Sequence, residues 1–326
     1  MKRAARLLAK LPDALSREHL DLTISLHAGL DTRIIERPGL TLGEGDLAEL
    51  TQKLREVASH TLPSGSLTYG VFSGERERLA NVVVTLISEA ATGRPIGFNA
   101  LALMDVILDG EPRVVTHLGL VMVDRDERSR GLSSTLYGLT TLLLFARSGL
   151  RPFWVSNVTQ VPAVVGMVSE TFSNVFPAPA ATARQSFTHL SLARQIMRRH
   201  RHLFGVGDEA TFDEARSVIL DAYTGGSDDL KKTYEQAPKH RDARYNDFCR
   251  ELLDYGRGDD VLQLARMDLA TARRYLVAHV PPRSLPALML TAAFLMLQRL
   301  ALPIVHWFDD SKRFGALRPS QKAATK

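Results

Sequence analysis

The sequence predicts an α/β protein in which a mixed sheet flanked by helices carries an N-terminal arm and a helical C-terminal extension. Three observations lead to this prediction. Residues 61–190 alternate apolar, β-branched runs with helical patterns, and residues 121–136 join a strand to a helix through one charged turn. Residues 191–326 are mostly helical in pattern. We therefore expect an arm over residues 1–60, a core over 61–190 and an extension over 191–326.

The arm is expected to be helical, with its clearest helix over residues 46–58. Four apolar side chains recur there at the spacing of one helix face: Leu47, Leu50, Leu54 and Val57.

The core is expected to alternate strands and helices. Strands are predicted at residues 66–72, 80–87, 96–108, 113–123 and 153–157, and helices at residues 132–147 and 162–172. A turn with Gly93 and Pro95 is expected to join the second and third strands into an antiparallel hairpin. Pro162 stands at the start of the second helix, where its missing N–H costs no hydrogen bond.

The extension is expected to hold amphipathic helices over residues 211–223, 244–255 and 259–279, and a disordered tail from Phe314. Residues 287–297 (ALMLTAAFLML) are apolar apart from Thr291. This run is shorter than the roughly 20 residues that a membrane-spanning helix needs. We interpret it as a buried helix or as a helix that lies on a membrane surface or contacts an acyl chain.

The most informative stretch is the turn between the predicted strand that ends at Val123 and the helix that follows it. The turn reads Arg128-Ser129-Arg130-Gly131-Leu132-Ser133-Ser134. Free backbone N–H groups at a helix start, together with the helix dipole, form an anion site. Gly131 allows the backbone to approach a ligand closely, Ser133 is small, and Arg128 and Arg130 add positive charge. The turn therefore predicts a site for a phosphate or pyrophosphate.

This turn resembles the acyl-CoA-binding turn of the GNAT acyltransferases, whose signature is Gln/Arg-x-x-Gly-x-Gly/Ala. Here the signature reads Arg128-x-x-Gly131-x-Ser133, with serine at the last small position. The predicted order of hairpin, strand, turn, helix, strand and helix is similar to the GNAT core over about 130 residues. The resemblance implies acyl transfer from acyl-CoA or acetyl-CoA, or from an acyl carrier protein, to a small-molecule or peptide amine.

The resemblance also implies a position for a general base. In several GNAT enzymes a carboxylate lies about eleven residues before the Gln/Arg of the signature, and here His117 has that position. A histidine can take a proton from an amine near neutral pH, so His117 is the candidate base, the alternative being a hydrogen-bonded structural histidine. Family members often carry a general-acid tyrosine in the next but one helix, and PAVVGMVSETF has none.

The remaining cofactor contacts that the resemblance implies come from two strands. Leu120, Val121 and Val123 belong to the strand whose backbone would hold the pantetheine arm, together with the turn residues already named. Asn157, at the end of the next predicted strand, would contact the same arm or act as a turn residue. No His/Cys spacing typical of zinc is present, so no metal is expected.

Charge and composition narrow the partners. The net charge of +5 favours anionic partners, but the excess is small and a dense basic stripe is missing, so nucleic-acid binding is not expected. The basic run Arg194–His202 is interpreted as a solvated helix face, or as a docking site for an acidic carrier protein, a phosphorylated substrate or a lipid headgroup. A single cysteine fits a cytoplasmic protein, with membrane association as an open alternative. The function is thus predicted to be N-acyl transfer. The alternative is a catalytically silent GNAT-like module that binds a membrane, through residues 285–308, or a partner protein.

Overall fold

The computed structural model describes residues 17–27, 29–61, 70–127, 132–225, 230–312 and 314–318. Its centre is a mixed sheet of ten strands. The strands are β1 Asp21–His27, β2 Leu30–Glu36, β3 Val82–Glu89, β4 Pro95–Leu108, β5 Glu111–Val123, β6 Phe153–Thr159, β7 Ser173–Phe176, β8 Thr211–Asp213, β9 Val218–Leu220 and β10 Asp260–Met267.

Nine α-helices of four residues or more accompany the strands in the described residues. They are α1 Pro38–Thr41, α2 Glu44–Thr61, α3 Arg76–Leu79, α4 Leu132–Arg147, α5 Pro162–Thr171, α6 Phe187–Arg199, α7 Ala243–Leu252, α8 Leu269–His279 and α9 Leu285–Trp307. The predicted fold class, an α/β protein with a mixed sheet flanked by helices, is confirmed.

The strand order is β1-β2-β3-β4-β5-β6-β10-β9-β8, with β7 added against β10. All neighbours are antiparallel except β5 and β6, which are parallel. The predicted hairpin is β3–β4, and it is followed by β5, α4, β6 and α5 in the order expected for a GNAT-like core. A parallel pair needs a crossover, and α4 supplies it.

Helices cover both faces of the sheet. On the first face, α4, α5, α8 and α9 share one core with Ile34, Leu101 and Val155. On the second face, α2 packs on the β2–β4 region and α6 packs on β4 and β10. The strands alternate between these cores as a two-sided sheet requires: Val83 faces the first, while Val82 and Val84 face the second.

The N-terminal arm is only partly helical, which corrects the prediction. Helix α2 covers the expected helix over residues 46–58, but β1 and β2 precede it and pair with each other and with β3. The signal is an alternation with a period of two: Ile24 is buried, and Thr23 and Ser25 are exposed. Most of the strand expected at residues 66–72 lies outside the described residues.

Two helices predicted in the extension are wrong. The span 211–223 forms the short strands β8 and β9, and the first part of 259–279 forms β10. Strand β10 is buried almost along its whole length, which removes the alternation that marks a half-exposed strand. Asp268 then accepts a hydrogen bond from the Thr271 N–H at 2.9 Å and starts α8.

The helix expected over residues 244–255 is present as α7, and the apolar run 287–297 lies within α9. The sheet crosses both expected boundaries, because β1–β2 lie before residue 60 and β8–β10 lie after residue 190. The division into arm, core and extension stays a prediction.

Candidate functional site

The sheet opens between β5 and β6. These parallel strands pair at only three positions, Val115–Trp154, Thr116–Val155 and His117–Ser156. Beyond His117–Ser156 both strands continue, β5 to Val123 and β6 to Thr159, without pairing with each other. Strand β5 therefore has a partner strand on its β4 side only, and its other backbone edge faces the opening.

His117 lies at the point where the opening begins. Its ring is buried, its Nδ1 lies 3.0 Å from the Ser156 Oγ, and it packs against the Phe204 ring at a tilt of 32°, with ring centroids 5.1 Å apart. Burial lowers the pKa of His117 from 6.5 to about 4, so the imidazole is neutral at physiological pH. Nε2 makes no hydrogen bond within the described residues, and this nitrogen is the one that could accept a proton.

A β-bulge shapes the same segment of β5. His117 pairs with Ala102 and Leu120 pairs with Ala100, so Leu118 and Gly119 together oppose one residue of β4. A Cβ on Gly119 would lie 2.8 Å from the Ala100 carbonyl oxygen, so the bulge needs glycine there. The bulge turns Leu118 to the first face and Leu120 to the second.

Tyr137 brings a phenol to this segment from α4. Its hydroxyl donates a hydrogen bond of 2.6 Å to the carbonyl of Gly119, two residues beyond His117. Burial raises the pKa of Tyr137 well above its usual range, so the hydroxyl stays protonated. This contact fixes the start of α4 against the opening of the sheet.

The predicted pyrophosphate turn is described only in part. Arg128, Ser129, Arg130 and Gly131, like the side chain of Ser134, lie outside the described residues. Leu132 is buried at the first position of α4, and Ser133 is exposed on its first turn. Helix α4 is 16 residues long, and its N-terminus follows the end of β5 after eight residues. The N-terminus of a helix this long carries partial positive charge and attracts an anion.

An ionic cluster holds the base of the turn. Arg94 lies 2.7 Å from a Glu89 carboxylate oxygen, 3.2 Å from Asp124 and 3.4 Å from Glu127. Burial alone would raise the pKa of Asp124, but hydrogen bonds from the Asp126 N–H and from His60 outweigh it and hold that pKa below its usual range. The cluster ties the β3–β4 hairpin to the chain segment that enters the turn.

Asn157 lies inside β6, two residues before the strand ends. It is buried on the face opposite to that of Ser156, and its amide nitrogen lies 3.4 Å from the Gln263 Oε1. Gln263 in turn donates to the Ser169 Oγ on α5 and to the Pro177 carbonyl. Asn157 thus joins β6 to β10 and α5, and no turn contact involves its side chain.

Helix α5 contains no tyrosine, so it cannot supply a phenol as general acid. Val165 is fully buried against Val218, Tyr245 and Cys249, and Val164 is half-buried. Sequence reasoning looked for a phenol on this helix and missed Tyr137, which comes from α4. It also missed Ser156, although a serine next to the apolar residues FWV of the strand FWVSNVT was a usable signal.

The three residues of β5 that are predicted to contact the cofactor lie in the last part of this strand. Leu120 and Val121 are half-buried and Val123 is buried, all beyond the last β5–β6 pair. In the described part of the chain, no group of three or more His, Cys, Asp or Glu residues is placed to hold a metal ion.

The protein is similar to solved structures of acetyltransferases and acyltransferases, but with low TM-scores. No protein-family model and no curated protein matches the sequence. Three solved structures illustrate the matches. An acetyltransferase from Trypanosoma brucei is 26% identical, with 36% of this chain and 75% of that chain covered and a TM-score of 0.25. A mutant form of the Vibrio cholerae spermidine/spermine N-acetyltransferase is 10% identical, with 76% and 98% covered and a TM-score of 0.35.

The third, a cAMP-binding acyltransferase from Mycobacterium smegmatis, is 10% identical, with 90% and 61% covered and a TM-score of 0.28. The TM-scores of all three structures are below 0.5. Independently of them, the chain has the element order that the sequence predicts: a hairpin, a strand, a helix, a strand and a further helix.

Proposed function

We propose that this protein is an N-acyltransferase, which moves an acyl group from acyl-CoA or an acyl carrier protein to an amine. The observation that carries the proposal is the end of β5–β6 pairing at His117–Ser156, on the strand that leads through a cationic, glycine-containing sequence into α4. An extended thioester arm would lie along the unpaired backbone edge of β5, and the N-terminus of α4 would attract the pyrophosphate.

The donor would bind along β5. The free backbone edge at Leu120, Val121 and Val123 would bond to the amide groups of the pantetheine, as an added strand would. Backbone N–H groups from Ser129 to Ser134 would hold the pyrophosphate, with Arg128 and Arg130 adding charge. The Asn157 amide oxygen makes no hydrogen bond within the described residues and would accept one from the same arm.

His117 would act as the general base. Its burial keeps the ring neutral, and the hydrogen bond between Nδ1 and the Ser156 Oγ leaves Nε2 available to the acceptor amine. Nε2 takes a proton from the attacking amine while the amine nitrogen bonds to the thioester carbonyl carbon. The C–S bond then breaks, and the CoA thiolate takes a proton from water. Ser156 is a positioning residue in this scheme.

The acyl chain is proposed to be longer than acetyl. Helix α5 carries small apolar side chains where a tyrosine would limit the space, and α9 presents further apolar surface. The acceptor would be a small-molecule or peptide amine, and the protein would act in the cytoplasm.

The test is calorimetric titration with acetyl-CoA, octanoyl-CoA and palmitoyl-CoA. Gly131→Glu places a negative charge in the pyrophosphate turn and should abolish binding. Gly45→Glu is the matched control, because a Cβ at Gly45 meets nothing within 4 Å and the residue lies in the first turn of α2. Tighter binding of octanoyl-CoA than of acetyl-CoA would support the chain-length proposal.

Equal binding by Gly131→Glu and the native chain would contradict the pyrophosphate site. No binding of any acyl-CoA, together with no turnover of an acyl carrier protein thioester, would leave the alternative function of a catalytically silent module. The exposed apolar residues of α9 favour that alternative as a second candidate.

A further inference from the structure

Helix α9 is amphipathic in the inverted sense. It buries the polar side chains of Gln298 and His306 against the protein body, whereas its outer side is almost entirely apolar. A surface helix of a protein that meets only water has the opposite arrangement. The segment Pro282–Trp307 is long and apolar enough to cross a membrane: its most apolar window of 18 residues has a mean hydropathy of 1.8, and only 17% of that window is buried.

The exposed side chains form one continuous stripe, which we call the α9 apolar face. It is defined by six residues: Leu290, Leu297, Leu300, Ile304, Trp307 and Phe308. Leu290, Leu300 and Phe308 are 73%, 71% and 74% exposed. The spacing of these residues keeps them within one side of the helix over its 23 residues, a length of about 35 Å. A contiguous exposed apolar patch of this kind marks an interaction site.

The helix lies along the body of the protein and does not project from it. Arg147 at the end of α4 bonds to the Gln298 side chain, and Arg299 donates to the Arg147 carbonyl at 3.2 Å. Leu288 and Leu295 pack into the core shared with α4. A partner must therefore approach α9 from outside and cover one side of it, as a membrane surface does.

The charges around the face favour an anionic partner. Between Arg283 and Phe308 the sequence has no acidic residue, while Arg283 and Arg299 are exposed cations. Asp309 and Asp310 follow the helix, and Asp310 pairs with Arg318. Residues 1–16 hold four basic residues and one acidic residue. Their point of attachment lies beside α9, because the Arg17 carbonyl accepts a hydrogen bond of 3.2 Å from Gln298.

We propose that the α9 apolar face docks on an anionic lipid bilayer, with α9 parallel to the membrane plane and the exposed cations Arg283 and Arg299 near the lipid headgroups. Apolar side chains then enter the headgroup–acyl boundary, and the cations interact with the negative lipid surface. Trp307, at one end of the face, has the amphipathic ring that is enriched at this depth. The lipid surface is the occupant, and it is bound on the face opposite to α6.

The experiment is co-sedimentation of the full-length protein with vesicles of phosphatidylcholine, alone or mixed with phosphatidylglycerol. Leu297→Glu/Leu300→Glu places two charges on the face. Leu40→Glu/Phe187→Glu is the matched control, because both side chains are exposed, Phe187 at 83%, and lie outside α9. Cooperative thermal unfolding of each variant checks the fold. We expect at least tenfold stronger binding to the anionic vesicles, a loss of at least tenfold in the α9 variant only, and weaker binding in high salt.

Three outcomes would overturn the proposal. The first is no sedimentation with either vesicle. The second is a native dimer that the α9 variant dissociates, which would make a second copy the occupant. The third is vesicle binding that is seen only after residues 1–16 are deleted, which would mean that this segment covers the face.

Discussion

Strand β6 has two edges that differ in almost every respect. Toward β10 it forms an antiparallel ladder of seven consecutive pairs, from Phe153–Met267 to Thr159–Val261. Toward β5 it forms a parallel ladder of three pairs that ends at His117–Ser156. Both edges belong to the same seven residues, so the partner strand decides which edge is closed. The closed edge stabilises the protein, and the open edge provides the space in which a ligand could replace a strand.

The buried polar groups beside the two edges differ in the same way. On the closed edge Gln263 has a partner for each amide group, and Asp260 accepts a hydrogen bond of 3.0 Å from Tyr223. On the open edge His117 has one ring nitrogen bound and one without a hydrogen bond in the described residues. Fully satisfied polar networks are typical of structural groups, whereas a ring nitrogen without a hydrogen bond is available to a ligand.

The largest expected effect is on the open edge. His117→Ala should lower kcat by about 10²- to 10⁴-fold, because it removes the general base, while acyl-CoA binding stays within about twofold because His117 is not a binding group. Single-turnover kinetics and titration with the same acyl-CoA measure the two quantities. His202→Ala, at an exposed histidine, is the control. Unchanged kcat in His117→Ala would leave His117 as a structural histidine.

A smaller effect is expected on the closed edge. Gln263→Ala should lower the free energy of unfolding by about 1–3 kcal/mol, because Asn157, Ser169 and the Pro177 carbonyl lose a partner in a buried environment. Urea unfolding measures the loss. Gln52→Ala, on the exposed side of α2, controls for the substitution itself. If the two variants lost equal stability, the closed edge would not depend on this amide.

The smallest expected effect is a pH dependence from Asp260. Burial raises the pKa of Asp260 from 3.8 to about 7, so the folded state holds the proton more tightly than the unfolded chain. The contribution to stability is complete below pH 4 and is lost as the pH rises to 7. Asp260→Asn should therefore gain about 1 kcal/mol or more over the native chain between pH 4 and pH 7.

Urea titrations at several pH values measure the difference, and Asp208→Asn, at an exposed side chain, is the control. His117 acts in the opposite direction. Its pKa is lowered to about 4 by burial, so stability falls as the pH drops from 6.5 to 4. The His117→Gln variant should not lose stability in this way between pH 6.5 and pH 4. A pH profile that is the same in the native chain and in Asp260→Asn would contradict a buried, protonated Asp260.

The sequence predicts the part of the fold in which the elements that pair or follow each other are close together in the chain. Strands β3 and β4 are close in sequence and form a hairpin, and α4 follows β5 through a single turn, so local pattern suffices. It fails for β10, whose partner β6 is distant in sequence and whose burial hides the period of two. It also misses two short local hairpins, β1–β2, whose alternation is visible in the sequence, and β8–β9, whose strands have only three residues each. In the arm, the sequence predicts the helix α2 but not the strands β1 and β2 that precede it.

For the candidate site, the sequence by itself determined the residue types and their order: a histidine on the strand before a cationic, glycine-containing turn, a helix start and an apolar helix near the end. Only the tertiary structure decided what surrounds them. It ends β5–β6 pairing at His117, places Ser156 and Tyr137 beside that point, engages Asn157 with Gln263, and turns the apolar side of α9 outward. Local sequence fixes helix and strand periods, whereas burial and neighbours depend on contacts between segments far apart in the chain.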